Sequence, residues 1–142
     1  MKHLRWIPIT AALIACVAWQ AHAAEPNVKV IANPSVKTDS ISAVELKSVF
    51  LEDSDTLAGS HVQPVLARGG PAHDAFLRNY LSKSDSALQA FYRSLVFTGK
   101  ASMPKMLRSD AEIVAYVART KGAIGYVSST AGTDGVKTLE VK

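Results

Sequence analysis

The sequence predicts an α/β fold in which short apolar strands alternate with amphipathic helices. Three observations point to it. Apolar runs at 27–32, 62–67 and 123–127, with an alternating run at 136–141, have the length and spacing of strands. Between them Leu88, Phe91, Tyr92, Leu95 and Val96 recur at the spacing of a helical stripe laid on a sheet. Ser42 with Glu45 and Ser109 with Glu112 are spaced as capping boxes, so a helix is expected to begin after each serine.

Taken in order, Asn27-Val28-Lys29-Val30 alternates and then runs apolar through Ile31-Ala32, as a strand entering a core does, before Asn33-Pro34-Ser35 breaks it. The first helix is expected over Ala43–Phe50, with Ile41 and Leu46 spaced as a hydrophobic staple. Glu52, Asp53, Asp55 and Gly59 make an acidic, solvated loop back to the strand at Val62. Beyond a two-glycine turn, Pro71 opens a helix whose Phe76, Leu77, Tyr80 and Leu81 form one stripe, interrupted at Ser82-Lys83-Ser84. A helix over Asp85–Phe97 follows, its aromatics read as core, and Thr98 to Pro104 reads as a loop. The next helix runs to about Thr120 with Ile113, Val114 and Val117 inward, and Gly122 ends it. A buried strand at 123–127 and an edge strand at 136–141 complete the pattern.

The 142 residues allow one domain. Met1-Lys2-His3-Leu4-Arg5 is a basic start, the apolar run from Trp6 to Trp19 is short for a bilayer span, and Ala21-His22-Ala23 supplies a small-x-small cleavage site. Residues 1–23 therefore read as a secretory signal peptide and 24–142 as a single exported, periplasmic domain. A competing reading takes Leu13-Ile14-Ala15-Cys16 as a lipobox with Cys16 acylated; the apolar Val17-Ala18-Trp19 that follows weighs against it. Loss of Lys2 and Arg5 leaves 14 Lys and Arg against 12 Asp and Glu, so the basic pI gives no argument for nucleic acid. The domain also has no cysteine, which excludes disulfides, thiolate catalysis and cysteine-ligated metals.

The stretch that suggests chemistry is the turn from Arg68 through Gly69, Gly70, Pro71 and Ala72 to His73. Unpaired N–H groups at a helix start, with the helix dipole behind them, attract anions. Glycines let a ligand approach the backbone closely, and Arg68 adds a full positive charge. A plain strand-to-helix turn with a surface arginine fits the same letters, and His73 by itself reads as an exposed helix residue. Other chemistries lack their parts. Thr98-Gly99-Lys100 has serine at position 94 where a phosphate loop needs glycine. There is no Gly-x-Ser-x-Gly elbow. His61 and His73 have no second ligand at zinc spacing. No metal, cofactor or catalytic pair is implied, so an enzyme is not expected.

Val30-Ile31-Ala32-Asn33-Pro34-Ser35, then Ser42 to Leu51, the Gly69-Gly70 turn ahead of Phe76, and Gly122-Ala123-Ile124-Gly125-Tyr126-Val127 together resemble the periplasmic phosphate-binding proteins of ABC transporters. The resemblance implies a single lobe of the type II periplasmic-binding-protein-like fold, a mixed sheet flanked by helices. Members of that family close two lobes on the anion, and this chain resembles only the second. Their turn reads acidic-Gly-Ser-Gly-Thr. Anchored on Phe76, Arg68 stands at the acidic position, Gly69 at the first glycine, Gly70 at the serine, Pro71 at the second glycine and Ala72 at the threonine. Both hydroxyl donors are absent, and a cation replaces the group that would accept the proton of a hydrogen phosphate.

Two functional readings follow. One is a binding protein for phosphate or a similar oxyanion serving transport, with Arg68 as counter-charge and the backbone of Gly69, Gly70, Ala72 and His73 as donors. Its half-site needs a second surface: another copy of the chain, or a membrane or periplasmic protein partner. The other is a ligand-free one-lobe accessory, interaction or sensing module. On either reading, cleavage after Ala23 removes both tryptophans, so the exported protein is expected to fluoresce from tyrosine alone, with an intact mass that begins at Ala24. Retention of Trp19 emission would mean processing at Cys16 instead.

Overall fold

The computed structural model describes residues 28–51 and 54–142; the expected signal peptide, Cys16, Asn27 and the loop carboxylates Glu52 and Asp53 lie outside the described residues. Along the chain, β1 (Val28–Ala32) and β2 (Ser40–Ile41) precede α1 (Ala43–Phe50), and a short hairpin of β3 (Thr56–Leu57) and β4 (Ser60–His61) leads into β5 (Gln63–Ala67). Helix α2 (Pro71–Phe76) runs straight into a π-helical turn (Leu77–Leu81). Then come α3 (Asp85–Phe97), β6 (Lys105–Leu107), α4 (Asp110–Arg119), β7 (Ala123–Ser128) and β8 (Lys137–Val141).

Six strands form one sheet in the order β2-β8-β1-β7-β5-β6. β5 runs parallel to both β6 and β7, whereas β1 is antiparallel to its neighbours β7 and β8. This is the α/β class with a mixed sheet that the sequence predicts. Helices cover both faces, so the central strands are buried on both sides and read as apolar runs. On one face Tyr126 of β7 stacks on Phe76 with ring centroids 3.9 Å apart, and Phe50 of α1 meets Phe76 edge-on at 4.8 Å. On the other, Gly125 makes room for α4, where an added Cβ would lie 3.2 Å from Ile113 Cγ2.

Local chemistry accounts for the element boundaries. The Ser42–Glu45 capping box forms in full, with Ile41 and Leu46 both buried beside it. Ser84 and Ser109 cap α3 and α4 through their hydroxyls. Buried Asn33, in the turn after β1, donates from Nδ2 to the carbonyls of Val117 and Ala118 and accepts from Ser35 N–H. It thereby satisfies carbonyls that the last turn of α4 leaves without partners.

The structure corrects several expectations, beginning with the acidic loop before Val62, which holds the β3–β4 hairpin with Leu57 buried. β8 is not an edge strand: Ser40–Ile41 pairs in parallel beside it and covers it. β6 follows directly on the predicted loop and supplies a sheet edge, from three residues too few to register as a pattern. The stripe after Pro71 keeps Phe76, Leu77 and Leu81 buried, but the helix widens at Leu77 and stops at Ser82, in the left-handed region at φ 53°. In α3 only Leu88 and Tyr92 are fully buried, while Val96 is 44% exposed. Periodicity states which side of a helix faces inward, not how far the opposing surface extends.

Gly122 stands where α4 gives way to β7, at φ 75°, and a Cβ there would collide with the carbonyl oxygen of His61. Gly122→Ala is expected to destabilise by about 3 kcal/mol or more, since left-handed strain and a backbone clash add. Urea unfolding of the two proteins measures this, and an unchanged midpoint would contradict the packing described.

Candidate functional site

The three parallel strands β5, β6 and β7 end at one edge of the sheet. Crevices at the carboxyl ends of such strands are where α/β folds hold ligands. Here β5 ends in Arg68-Gly69-Gly70 and then α2, and β6 ends in Arg108-Ser109 and then α4. The two arginines are register neighbours, for Ala67 pairs with Leu107 and Arg68 N–H donates to the Leu107 carbonyl at 2.9 Å. Both are exposed, and neither forms an ion pair among the described residues. Arg108 escaped the sequence reading because β6 did. Its trace in the sequence is a repeated grammar: a short apolar run, an arginine, then a helix start.

The two helix starts are electrostatically unlike. At α4, Ser109 Oγ accepts from Glu112 N–H, Glu112 Oε2 accepts from Arg108 N–H at 2.9 Å, and Asp110 accepts from the backbone and hydroxyl of Ser128. Its positive end is already occupied by the chain's own carboxylates. At α2, Gly70 precedes the helix at φ 101° and offers no side-chain cap. The first-turn N–H groups of Ala72 and His73 thus have no side-chain acceptor among the described residues, and nothing lies within 4 Å of where a Cβ on Gly69 or Gly70 would sit. The one carboxylate of this turn, Asp74, is exposed.

His73 departs from its expected exposure. Its side chain is 1% exposed and lies at the centre of a buried polar chain. Tyr126 Oη accepts from Ala67 N–H at 3.1 Å and contacts His73 Nδ1 at 2.5 Å, while His73 Nε2 lies 2.7 Å from Asp85 Oδ1. The arrangement that satisfies every atom has the phenol donating to Nδ1 and Nε2–H donating to the carboxylate. Only the backbone of His73 therefore remains for the turn. Spacing along the helix gave no hint of this, because the partners are 53 and 12 residues away.

Arg68 also lines an open groove of about 810 Å³ beside β6, together with Val49, Pro64, Met103, Lys105 and Met106. Gly69, Gly70, Ala72 and His73 do not line it. Arg68 is thus where the turn and the groove meet.

Among solved structures, the chain is similar to a protein assigned as a phosphate ABC transporter substrate-binding protein from Clostridium perfringens, solved with bound phosphate. The TM-score is 0.63 at 16% identity, over 81% of this chain and 44% of that one. An ABC-type phosphate transport receptor from Vibrio cholerae (0.54, 10%, covering 81% and 46%) and PstS from Borrelia burgdorferi (0.52, 15%, covering 82% and 47%) align likewise. No family model and no curated protein matches the sequence. The fold is that of one periplasmic-binding-protein lobe. This lobe spans less than half the length of each of those neighbours. Among the described residues no helix is long and apolar enough to cross a membrane.

Burial holds the Tyr126 phenol well above its ordinary value of 10.0. The folded lobe keeps this proton where the unfolded chain has lost it, so the stability it contributes is complete below about pH 10 and falls as pH rises further. Tyr126→Phe is expected to cost about 1–3 kcal/mol at neutral pH, by leaving Ala67 N–H and His73 without their partner. It should also flatten the alkaline loss. Denaturation curves at pH 7 and above pH 10 check both, and equal alkaline slopes in the two proteins would refute the assignment.

Proposed function

We propose that this lobe is the oxyanion-binding part of an exported, periplasmic binding protein serving transport of phosphate or a similar oxyanion. Arg68 is the counter-charge, and the backbone N–H groups of Gly69, Gly70, Ala72 and His73 are the donors. The observation that supports this most is the contrast at the carboxyl edge of the sheet. One helix start is neutralised by Asp110 and Glu112, while the neighbouring one is left uncapped beside an unpaired arginine. The likeness to part of a protein solved with bound phosphate supports an anion-binding role.

Magnitudes set the expected strength. Charge-assisted hydrogen bonds contribute about 1.5–3 kcal/mol each, and a helix start adds up to about 2. Association costs at least roughly 4 kcal/mol in lost freedom. Two or three donors on an open face therefore give a Kd near 1 mM, about −4 kcal/mol. Scavenging a scarce nutrient needs more, so the proposal includes a second surface across the turn, from another copy of the chain or from a membrane or periplasmic partner. The chain's coverage of 44% of its phosphate-bound neighbour favours a second reading, a ligand-free accessory or sensing module.

Calorimetry with phosphate and with sulfate separates the two. Binding near 1 mM is expected, weakened roughly tenfold by Arg68→Gln, the loss of one charge-assisted contact. No heat at several millimolar of either anion, with the protein folded and monomeric, would leave only the accessory module.

A further inference from the structure

The groove beside β6 has a composition that an inorganic anion does not use. Val49, Pro64, Met103 and Met106 form an apolar part of its lining, Gln63, Ser102 and Tyr116 a polar part, and Arg68 and Lys105 supply positive charge. Its acid, Asp55, lies 3.7 Å from His61 and pairs with neither cation among the described residues; Lys105 stands over the Tyr116 ring, which leaves Arg68 as the cation with no partner there. A volume of about 810 Å³ is in the range that holds small organic molecules. Mixed apolar and cationic lining selects an amphiphilic anion, since a purely inorganic ion gains nothing from the methionines and a neutral apolar molecule gains nothing from Arg68.

The groove follows a free sheet edge, so an added peptide strand is the natural competitor. The backbone argues against it. In a parallel pair a residue directs its N–H and C=O to the same side, and Leu107 faces β5, because its carbonyl accepts from Arg68. Lys105 shares that direction, which turns Met106 outward together with Pro104 and Arg108. Pro104 has no N–H to give, and the Arg108 N–H is held by Glu112 Oε2 at 2.9 Å. Only Met106 offers both a donor and an acceptor. A single residue does not make a ladder, and a proline and a covered donor are the usual ways of blunting an edge.

Resting on the oxyanion reading of Arg68, we infer that the groove takes an organic phosphate or phosphonate with an apolar substituent, its anionic head at Arg68 and its substituent against Met103 and Met106. The head would use the turn described above, and the substituent would supply the contact area that the turn alone lacks.

Titration calorimetry on the purified protein with inorganic phosphate, phenyl phosphate and benzyl alcohol tests this. Phenyl phosphate is expected to bind roughly tenfold more tightly than phosphate, the gain from partly burying one ring, and benzyl alcohol to give no heat. Met106→Ser should remove that gain and leave inorganic phosphate unaffected. Met103→Ser, in an exposed loop position, should reduce the gain as well and serves if the Met106 variant fails to fold. Equal affinities for phosphate and phenyl phosphate would overturn the groove and leave the anion site standing. Failure of both anions would overturn the two together. Benzyl alcohol binding as tightly as phenyl phosphate would overturn the role given to Arg68 in the groove.

Discussion

The hydroxyl of Tyr126 is the point on which the carboxyl edge of the sheet depends. It sits inside a face packed by Phe50 and Phe76, where an unpaired polar group costs about as much as a lost hydrogen bond and often more. Its partners lie on separate elements: Ala67 N–H at the end of β5 and His73 in the first turn of α2, with Asp85 at the start of α3 reached through the imidazole. Satisfying one oxygen therefore fixes the end of a strand, the start of the next helix and the start of the helix after that. The Arg68–Gly70 turn lies between the first two of these anchors. A loop carrying two exposed glycines is held in place from below, by atoms no ligand touches.

The same support engages both ring nitrogens of His73, so its buried side chain is not presented at the turn. On the reading proposed above, an anion at the turn would meet a guanidinium and backbone donors on one side and water on the other, and screening by solvent would keep each contact near its weak, exposed value. The lobe's buried residues form one continuous cluster from Val28 to Leu139, and the Lys142 backbone closes onto Ile41 and Ala43.

Much of this was legible in the sequence wherever the cause is local. The Ser42–Glu45 capping box, the serine caps of the later helices, the apolar β7 and the glycine at 122 depend on residues a few positions apart and formed as spaced, although Glu112 reaches back to the Arg108 N–H and not to that of Ser109. The turn at Arg68 was found for the same reason. What failed depends on distant partners. β6 is three residues long and is a strand because β5 lies beside it, so Arg108 went unseen. β8 reads as an edge in the sequence because the two residues that cover it, Ser40 and Ile41, pair with Glu140 and Val141 far along the chain. His73 looked exposed because nothing within its own helix would bury it; Tyr126 does so from 53 residues away.

The two strand–arginine–helix units show how one carboxylate shapes the edge. Glu112 lies in the first turn of α4 and reaches back to the Arg108 N–H, which both neutralises that helix start and removes a donor from the outer side of β6. Asp110 adds to the first effect by accepting from Ser128 at the end of β7. α2 has no counterpart of Glu112, since its own acid, Asp74, lies one residue further along and its N-cap is glycine. The result is an edge whose outer donors are few, with one helix start occupied by the chain's own carboxylates and the other left without a side-chain cap beside the groove. On the reading proposed above, selectivity at this face would follow from which positions the chain has filled with its own charges, and Arg68 is exposed and without an ion pair among the described residues.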